Sequence, residues 1–199
     1  MQNIKDDTRL KILEAGRELV RCKGTEFLTA RKLSEASNCS IGMIYNQFAN
    51  MDDFAAEQNE ITLRELYEKL SAEIYGDDSY HNLMMMVDIF TSFINDNREL
   101  WFLLYNFHLN GKGTIVDMDY KRRLVALLNV GAKDFGKLFP NLGVRRRKIM
   151  REVLLLSLFS LSAVLAASML DGMKKTNRDN LCRIFANTFL AGIALLEKE

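Results

Sequence analysis

Several residue types that would point to other classes of protein are scarce in this sequence. The 199 residues include one proline, two histidines and three cysteines, Cys22, Cys39 and Cys182. The cysteines are odd in number and widely separated, without the spacing of a metal site or a disulfide framework. We therefore expect reduced thiols in a cytoplasmic protein that needs no cofactor. Two histidines are too few for a histidine-rich metal site.

An excess of charge of one sign is also missing. There are 27 Lys and Arg against 26 Asp and Glu, a formal net charge of +1, so no global field marks the protein as a nucleic-acid binder. The first 11 residues lack the apolar core of a secretory signal peptide. We find no catalytic grouping of Ser, His, Asp or Cys at helical spacing and no glycine-rich phosphate loop, so we predict that the protein is not an enzyme.

Apolar residues are abundant and follow helical periods. They make up 48% of the chain, and Pro140 is the single proline. No stretch alternates as a strand does, so we predict an all-α fold with about nine helices. Asn50 and Ser79 are the expected N-caps of two of them. The predicted helices are residues 8–23, 29–37, 40–48, 50–75, 79–95, 98–109, 117–138, 145–171 and 177–197.

Residues 29–48 have the pattern of a helix-turn-helix, in which the second helix presents side chains to base edges. Thr29 and Ser40 are suitable N-caps, and Thr29 could also donate its hydroxyl to a phosphate. Asn38 stands where the turn needs a positive φ. On the inner face we expect Leu33 and Ala36 in the first helix and, in the second, Ile44 and Phe48. The alternative is a helical hairpin inside an all-α domain, without DNA.

The remaining residues of the second helix are expected to face outward. Amides can pair with adenine, and apolar side chains can contact thymine methyl groups. Glycine would permit a close approach of the backbone to DNA. We therefore assign base-edge pairing to Asn46 and Gln47, and methyl contacts to Ile41 or Met43. The predicted DNA-binding residues are Thr29, Arg31, Ser40, Ile41, Gly42, Met43, Tyr45, Asn46 and Gln47.

The joint pattern TARKLSEA at 29–36 and SIGMIYNQF at 40–48 resembles the N-terminal domain of the tetracycline-repressor (TetR) family. That resemblance implies a DNA-binding domain at residues 1–50 and a helical effector-binding and dimerisation domain at residues 51–199. It also implies a homodimeric transcription regulator. Arg31 and Tyr45 would contact phosphates, as family members use the matching positions.

Two departures from the family pattern remove positive charge. The family often has Lys at the position of Ile41, and it commonly starts the next helix with a phosphate-binding Lys where this chain has Met51. Residues 40–51 contain no cation, and residues 1–50 carry a surplus of only two positive charges. We therefore expect a shallow salt dependence for a DNA-binding dimer.

Methionine and aromatic residues are dense between residues 81 and 109. Such side chains form adaptable apolar walls, and ligand pockets are mostly apolar with a few polar groups. The alternative for each side chain is ordinary core, and His108 taken alone is more often a satisfied histidine than a ligand contact. The candidate pocket residues are Met85, Phe90, Phe93, Trp101, Tyr105 and His108.

An uncharged run of 18 residues, 153–170, follows a basic segment. Its length is just that of a transmembrane helix, but it contains four serines and a stripe of small residues that would let another helix approach closely. Together with the last helix it predicts a four-helix bundle between two copies of the chain. The expected dimer residues are Leu156, Ser160, Ala163, Ala167, Phe185, Phe189 and Gly192.

These interpretations combine into one leading hypothesis. The protein would be a dimeric repressor that binds a pseudo-palindromic operator in double-stranded DNA and is released by a small apolar or aromatic ligand. The rival hypothesis is a DNA-bound adaptor that acts through a protein partner without an effector. The sequence does not specify the operator, the regulated genes, the effector, or repression as opposed to activation.

Overall fold

The structure is a computed structural model, which describes residues 2–73, 75–112, 118–166 and 180–197. These residues form α-helices joined by short connections and one 3-10 turn at Thr25–Phe27, and no strand occurs among them. The predicted all-α fold is confirmed. The helices are Gln2–Lys23 (α1), Ala30–Ser37 (α2), Ile41–Gln47 (α3), Met51–Ala72 (α4), Ser79–Asp96 (α5), Arg98–Leu109 (α6), Met118–Asn129 (α7), Ala132–Leu138 (α8), Val144–Ala166 (α9) and Leu181–Leu196 (α10).

The predicted helix 117–138 is wrong, because the structure has two helices there, α7 and α8. Gly131 separates them with a φ of +73°, a conformation that favours glycine. A Cβ at this position would lie 2.8 Å from Cδ2 of Leu83 and 3.1 Å from Sδ of Met86. The chain therefore turns where it passes close to α5, a constraint that helical periodicity does not record.

The N-cap predicted for α5 is also wrong. Asp78 accepts a hydrogen bond from the backbone N–H of His81 at 3.0 Å, and the helix begins directly after it. Ser79 is buried in the first turn. Both residues are good caps by type, so local sequence could not choose between them.

The N-cap predicted for α4 is confirmed. Asn50 Oδ1 accepts from the N–H of Asp53 at 2.8 Å, and Asp53 Oδ2 accepts from the N–H of Ala49 at 3.2 Å. This reciprocal pair resembles a capping box, except that the Asp53 side chain binds the N–H of the residue before the N-cap instead of the N–H of the N-cap itself.

The chain divides into two compact units, and α4 runs from the first into the second. Unit 1 consists of Met1–Leu63 and Asn97–Tyr120, and unit 2 consists of Arg64–Asp96 and Lys121–Glu199. In unit 1, α1 packs against α2 and α6, and α2 packs against α3. In unit 2, α5, α8, α9 and α10 pack against one another.

Each unit has its own apolar core. That of unit 2 is built from α5, α8, α9 and α10, with Phe135 and Phe139 in contact at 4.9 Å between ring centroids. None of the described helices is both long and apolar enough to cross a membrane. The core of unit 1 beneath α2 and α3 consists of Ile12, Leu13, Leu33, Cys39, Ile44, Phe48 and Phe54.

Candidate nucleic-acid interface

The turn between α2 and α3 has the geometry that the sequence predicts. Asn38 ends α2 with φ 53° and ψ 38°, the left-handed conformation, and among the described residues no other non-glycine has a positive φ. Thr29 Oγ1 accepts from the N–H of Lys32 at 3.3 Å, and Ser40 Oγ accepts from the N–H of Met43 at 3.2 Å. Both predicted caps are confirmed, and they fix where the two helices begin.

α3 separates its residues into a buried face and an exposed face. Ile44 and Phe48 lie four apart and are fully buried, as predicted. The side chains of Ile41, Met43 and Tyr45 are each between 43% and 49% exposed. Gly42 and Asn46 are also exposed, whereas Gln47 is half-buried. An exposed face with three large, apolar or aromatic side chains and no charge is suited to reading base edges and methyl groups.

Gly42 lies in open space on this exposed face. A Cβ added there would meet nothing nearer than Ser40 Oγ at 3.9 Å. No packing within the described part of the chain requires glycine at this position. The space beside Gly42 is therefore open to a binding partner that approaches α3 from outside.

The inner face of α2 differs from the prediction by one residue. Ala36 is exposed, and Ser37 is buried in its place. Ser37 lies one full turn after Leu33 and donates its hydroxyl to the Leu33 carbonyl at 2.7 Å. This local hydrogen bond satisfies the buried hydroxyl of Ser37. Ser37 can therefore occupy the inner face of α2, where the sequence predicts Ala36.

Arg9 of α1 binds the C-terminal end of α3, for which the sequence predicted no stabilising interaction. Its Nη1 donates to the Gln47 carbonyl, its Nε and Nη2 donate to the Glu57 carboxylate, and its guanidinium lies 4.3 Å from the Phe48 ring centroid. A cation at a helix C-terminus and over an aromatic face is favourable on both counts. Arg9 lies at least 38 residues away from each of these three partners in the chain, so no sequence signal could have joined them.

The two cations of α2 share one carboxylate. Lys32 Nζ lies 2.8 Å and Arg31 Nε 3.3 Å from the oxygens of Glu35, and all three side chains are largely exposed. Hydrogen bonds from Lys32 and then Arg31 hold the pKa of the Glu35 carboxyl below its usual range. Glu35 is therefore ionised at neutral pH and would compete with phosphate for both cations.

The candidate pocket residues fall in the two units. In unit 2, Met85 and Phe90 are half-buried, and Phe93 is buried with Nζ of Lys69 at 5.8 Å from its ring centroid. Phe90 packs against the core of this unit.

In unit 1, Trp101 is buried, and Tyr105 and His108 are half-buried. Nε2 of His108 lies 2.8 Å from Oη of the buried Tyr120, and burial lowers the pKa of His108. The imidazole is thus neutral at pH 7 and has a hydrogen-bond partner inside the protein.

The candidate dimer residues are placed as follows. Leu156, Ser160 and Gly192 are exposed, whereas Ala163 is buried within the chain and Ala167 lies outside the described residues. Phe185 and Phe189 are half-buried and stack at 5.9 Å between centroids.

α10 packs against the core of unit 2 with four buried residues and with the half-buried Phe185 and Phe189 beside them. The helix turns Cys182, Ala186, Leu190 and Ile193 toward the core of unit 2.

Comparisons with known proteins agree with this geometry. Residues 12–57 match the model of the bacterial regulatory proteins of the tetR family. No curated protein sequence matches the chain.

Among solved structures, the chain is similar to three over more than 90% of both chains. A protein of unknown function from Rhodococcus sp. RHA1 superposes with a TM-score of 0.72 at 18% identity, covering 93% of this chain and 94% of that one. The fatty acid degradation regulator FadR from Bacillus halodurans gives 0.69 at 15% identity, covering 93% and 95%. A TetR-family transcriptional regulator from Bordetella parapertussis 12822 gives 0.62 at 14% identity, covering 96% and 95%. These likenesses show the fold.

Proposed function

We propose that the chain, whose residues 12–57 match the model of the tetR family of bacterial regulatory proteins, is a dimeric repressor released from its operator by a small apolar or aromatic ligand. Residues 1–50 would form the DNA-reading domain, and residues 51–199 the effector-binding and dimerisation domain. The single observation that carries the DNA-binding part is α3, whose caps and buried Ile44 hold an uncharged face outward. The exposed residues along α3 would contact base edges in the major groove.

Roles for individual side chains follow from their placement. The exposed Asn46 and the half-buried Gln47 would pair with adenine, and Ile41 or Met43 would contact thymine methyl groups. Arg31 and Tyr45 would bind phosphates, together with the hydroxyl of Thr29. The amide of Gln47 has the more restricted position because its own backbone carbonyl is bound by Arg9.

A strip of exposed residues along α9, three of them apolar and one a serine, supports dimerisation. Ile149, Val153, Leu156 and Ser160 are exposed at intervals of four, three and four residues, which places them on one side of the helix. On α10, Ile184, Leu195 and Leu196 are exposed as well. A second copy of the chain is the partner that would cover both helices in a four-helix, two-fold arrangement. Two α3 helices could then bind two half-sites.

The proposed effector is apolar because the helices of unit 2 are rich in apolar and aromatic side chains. FadR of B. halodurans, a regulator of fatty acid degradation with the same fold, makes acyl chains the first class to test. α4 runs from one unit into the other and would transmit a conformational change from the ligand to α3. The ligand can lower operator affinity only to the extent that it binds the DNA-released conformation more tightly than the DNA-binding conformation. A ligand that binds tightly and leaves operator affinity unchanged would favour the protein-adaptor alternative.

Selection of binding sites from sheared genomic DNA tests the DNA-binding part. We expect enrichment of a pseudo-palindrome by the wild-type protein. Asn46→Ala and Gln47→Ala should each relax the preference at one base position per half-site, at about 1–3 kcal/mol per lost pair. Asn106→Ala, an exposed asparagine on α6, is the matched control and should leave the preference unchanged. An unchanged preference in both α3 variants would contradict the assignment of the reading residues.

A further inference from the structure

One ion pair in unit 1 joins the segment that follows α6 to the first turn of α4. Nζ of Lys112 binds Oδ1 of Asp52, sixty residues earlier in the chain. Both side chains remain partly exposed, at 39% for Lys112 and 44% for Asp52. The ammonium therefore has one protein partner in this pair and an open side toward solvent.

This ammonium is held at the start of α4, the helix that follows the reading helix α3 in the chain. Asp52 is the second residue of α4, and α3 ends at Gln47, five residues earlier. α3 itself has seven residues, a length of about 10 Å. Because the major groove is about 12 Å wide and is bordered by phosphates, a cation at the start of the next helix would reach the phosphate rim when α3 occupies the groove.

The local charge explains why a cation is needed there. Residues 40–51 contain no Lys or Arg, and the first turn of α4 carries two carboxylates, Asp52 and Asp53. Asp53 is oriented toward the backbone of Ala49, and Arg31 and Lys32 are both bound to Glu35. Without Lys112, the start of α4 would present negative charge toward the DNA backbone.

We propose that Lys112 is a DNA-backbone contact, supplied to the reading helix by the segment after α6. The inference rests on the proposed DNA-binding function. Asp52 orients the ammonium in the free protein, and the ammonium offsets one of the two carboxylates in the first turn of α4. A phosphate oxygen becomes the second partner of the ammonium in the complex. Lys112 follows α6 by three residues, so a movement of α6 also moves a phosphate contact.

The test is the salt dependence of binding to the selected operator fragment and to an unrelated duplex, for the full-length protein. Lys112→Gln should reduce the slope of log K against log [NaCl] by about 0.9 per protomer, or about 2 for a dimer. Binding at 0.1 M NaCl should weaken several-fold, equally for both duplexes, because a phosphate contact carries no sequence information. Lys112→Arg should retain the slope. Lys148→Gln, which removes an ion-paired lysine from α9, is the matched control and should change nothing.

A second variant separates a DNA contact from a purely structural ion pair. Asp52→Asn breaks the pair but keeps the ammonium, and it should bind DNA as tightly as wild type or more tightly. Equal weakening by Lys112→Gln and Asp52→Asn, or an unchanged slope in Lys112→Gln, would overturn the inference. If the wild-type protein enriches no DNA at all, the proposed function fails and this inference fails with it. Thermal unfolding of each variant shows whether a loss of binding reflects a loss of folded protein.

Discussion

At the scale of single residues, two glycines of unit 1 have opposite reasons for lacking a side chain. A Cβ on Gly16 of α1 would clash with Cζ of Phe54 and lie 3.0 Å from Cδ1 of Leu33, so the core of unit 1 leaves no room for it. Gly42 of α3 has open space around it. The first glycine serves packing inside the protein, whereas the second has no role in the described fold and is free to serve binding.

The same substitution at the two positions should therefore separate stability from binding. Gly16→Ala should lower the free energy of unfolding by about 1–3 kcal/mol, the usual cost of overpacking a core. Gly42→Ala should leave it unchanged or raise it by up to about 1 kcal/mol, because alanine is the better helix former. It should nevertheless weaken operator binding by about tenfold, since a Cβ would stand between the backbone and the bases.

Chemical denaturation and fluorescence anisotropy with labelled operator measure the two quantities. Gly42→Ala with normal stability and normal affinity would show that α3 does not approach DNA closely at this residue. Each variant thus acts as the control for the other.

At the scale of elements, α3 illustrates how a very short helix is held. Seven residues form an unstable helix in isolation, because nucleation is costly. Ser40 caps the N-terminus, Ile44 and Phe48 anchor the middle and the end in the core, and Arg9 binds the last carbonyl. The orientation of the exposed face therefore depends on α1 as much as on the helix itself.

Removing the Arg9 guanidinium should loosen the C-terminal end of α3. Arg9→Met keeps the apolar stem and should cost about 1–2 kcal/mol of stability, from hydrogen bonds to a charged group and a cation–π contact. Sequence-specific binding should weaken more than non-specific binding, because the reading side chains lose their fixed orientation. Denaturation curves and affinities for operator and random duplex give the comparison.

Arg64→Met is the control, since Arg64 pairs with Glu68 on an exposed side of α4 with 3.9 Å between the nearest atoms. Exposed pairs of this kind contribute at most about 1 kcal/mol. If Arg9→Met behaved like Arg64→Met in both measurements, the proposed support of α3 by Arg9 would be wrong.

At the scale of the whole molecule, the proposed dimer would bury the apolar strip that α9 exposes in a single chain. A monomer would leave Ile149, Val153 and Leu156 in water along one side of a helix, and α10 adds Leu195 and Leu196. Contiguous apolar surface of this kind marks interaction sites. Operator binding would depend on it, because two linked reading helices bind a pseudo-palindrome far more tightly than one.

Leu156→Glu should therefore convert the dimer to a monomer. Leu156 is 58% exposed within the chain, so the substitution should cost the protomer less than about 0.5 kcal/mol. Buried against a second copy, the carboxylate would be unpaired and strongly unfavourable. Sedimentation velocity should show a mass near 22.9 kDa instead of twice that value, with loss of operator binding.

Val125→Glu on α7 is the matched control, because Val125 is exposed to a similar extent, at 55%, and lies outside the strip. It should remain dimeric. A dimer that survives Leu156→Glu would place the interface elsewhere on the protein.

The local features of this protein were determined by its sequence. Thr29, Ser40 and Asn50 cap helices because their side chains accept a hydrogen bond from the next turn, and Asn38 adopts a positive φ because its side chain tolerates it. The alternation of buried Ile44 and Phe48 with exposed neighbours follows from helical geometry alone. These interactions span five residues or fewer, so a local pattern records them.

Only the tertiary structure decided the features that join distant segments. Gly131 divides the predicted helix 117–138 because α5 passes within a van der Waals contact of it. Arg9 reaches Gln47, and Lys112 reaches Asp52, across thirty-eight and sixty residues. On α10, the small Cys182 and Ala186 are fully buried, whereas the larger Phe185 and Phe189 are only half-buried against the same core. Packing selects such contacts from many that are equally compatible with helical periodicity, because a helix specifies which residues share a face but not what that face will meet.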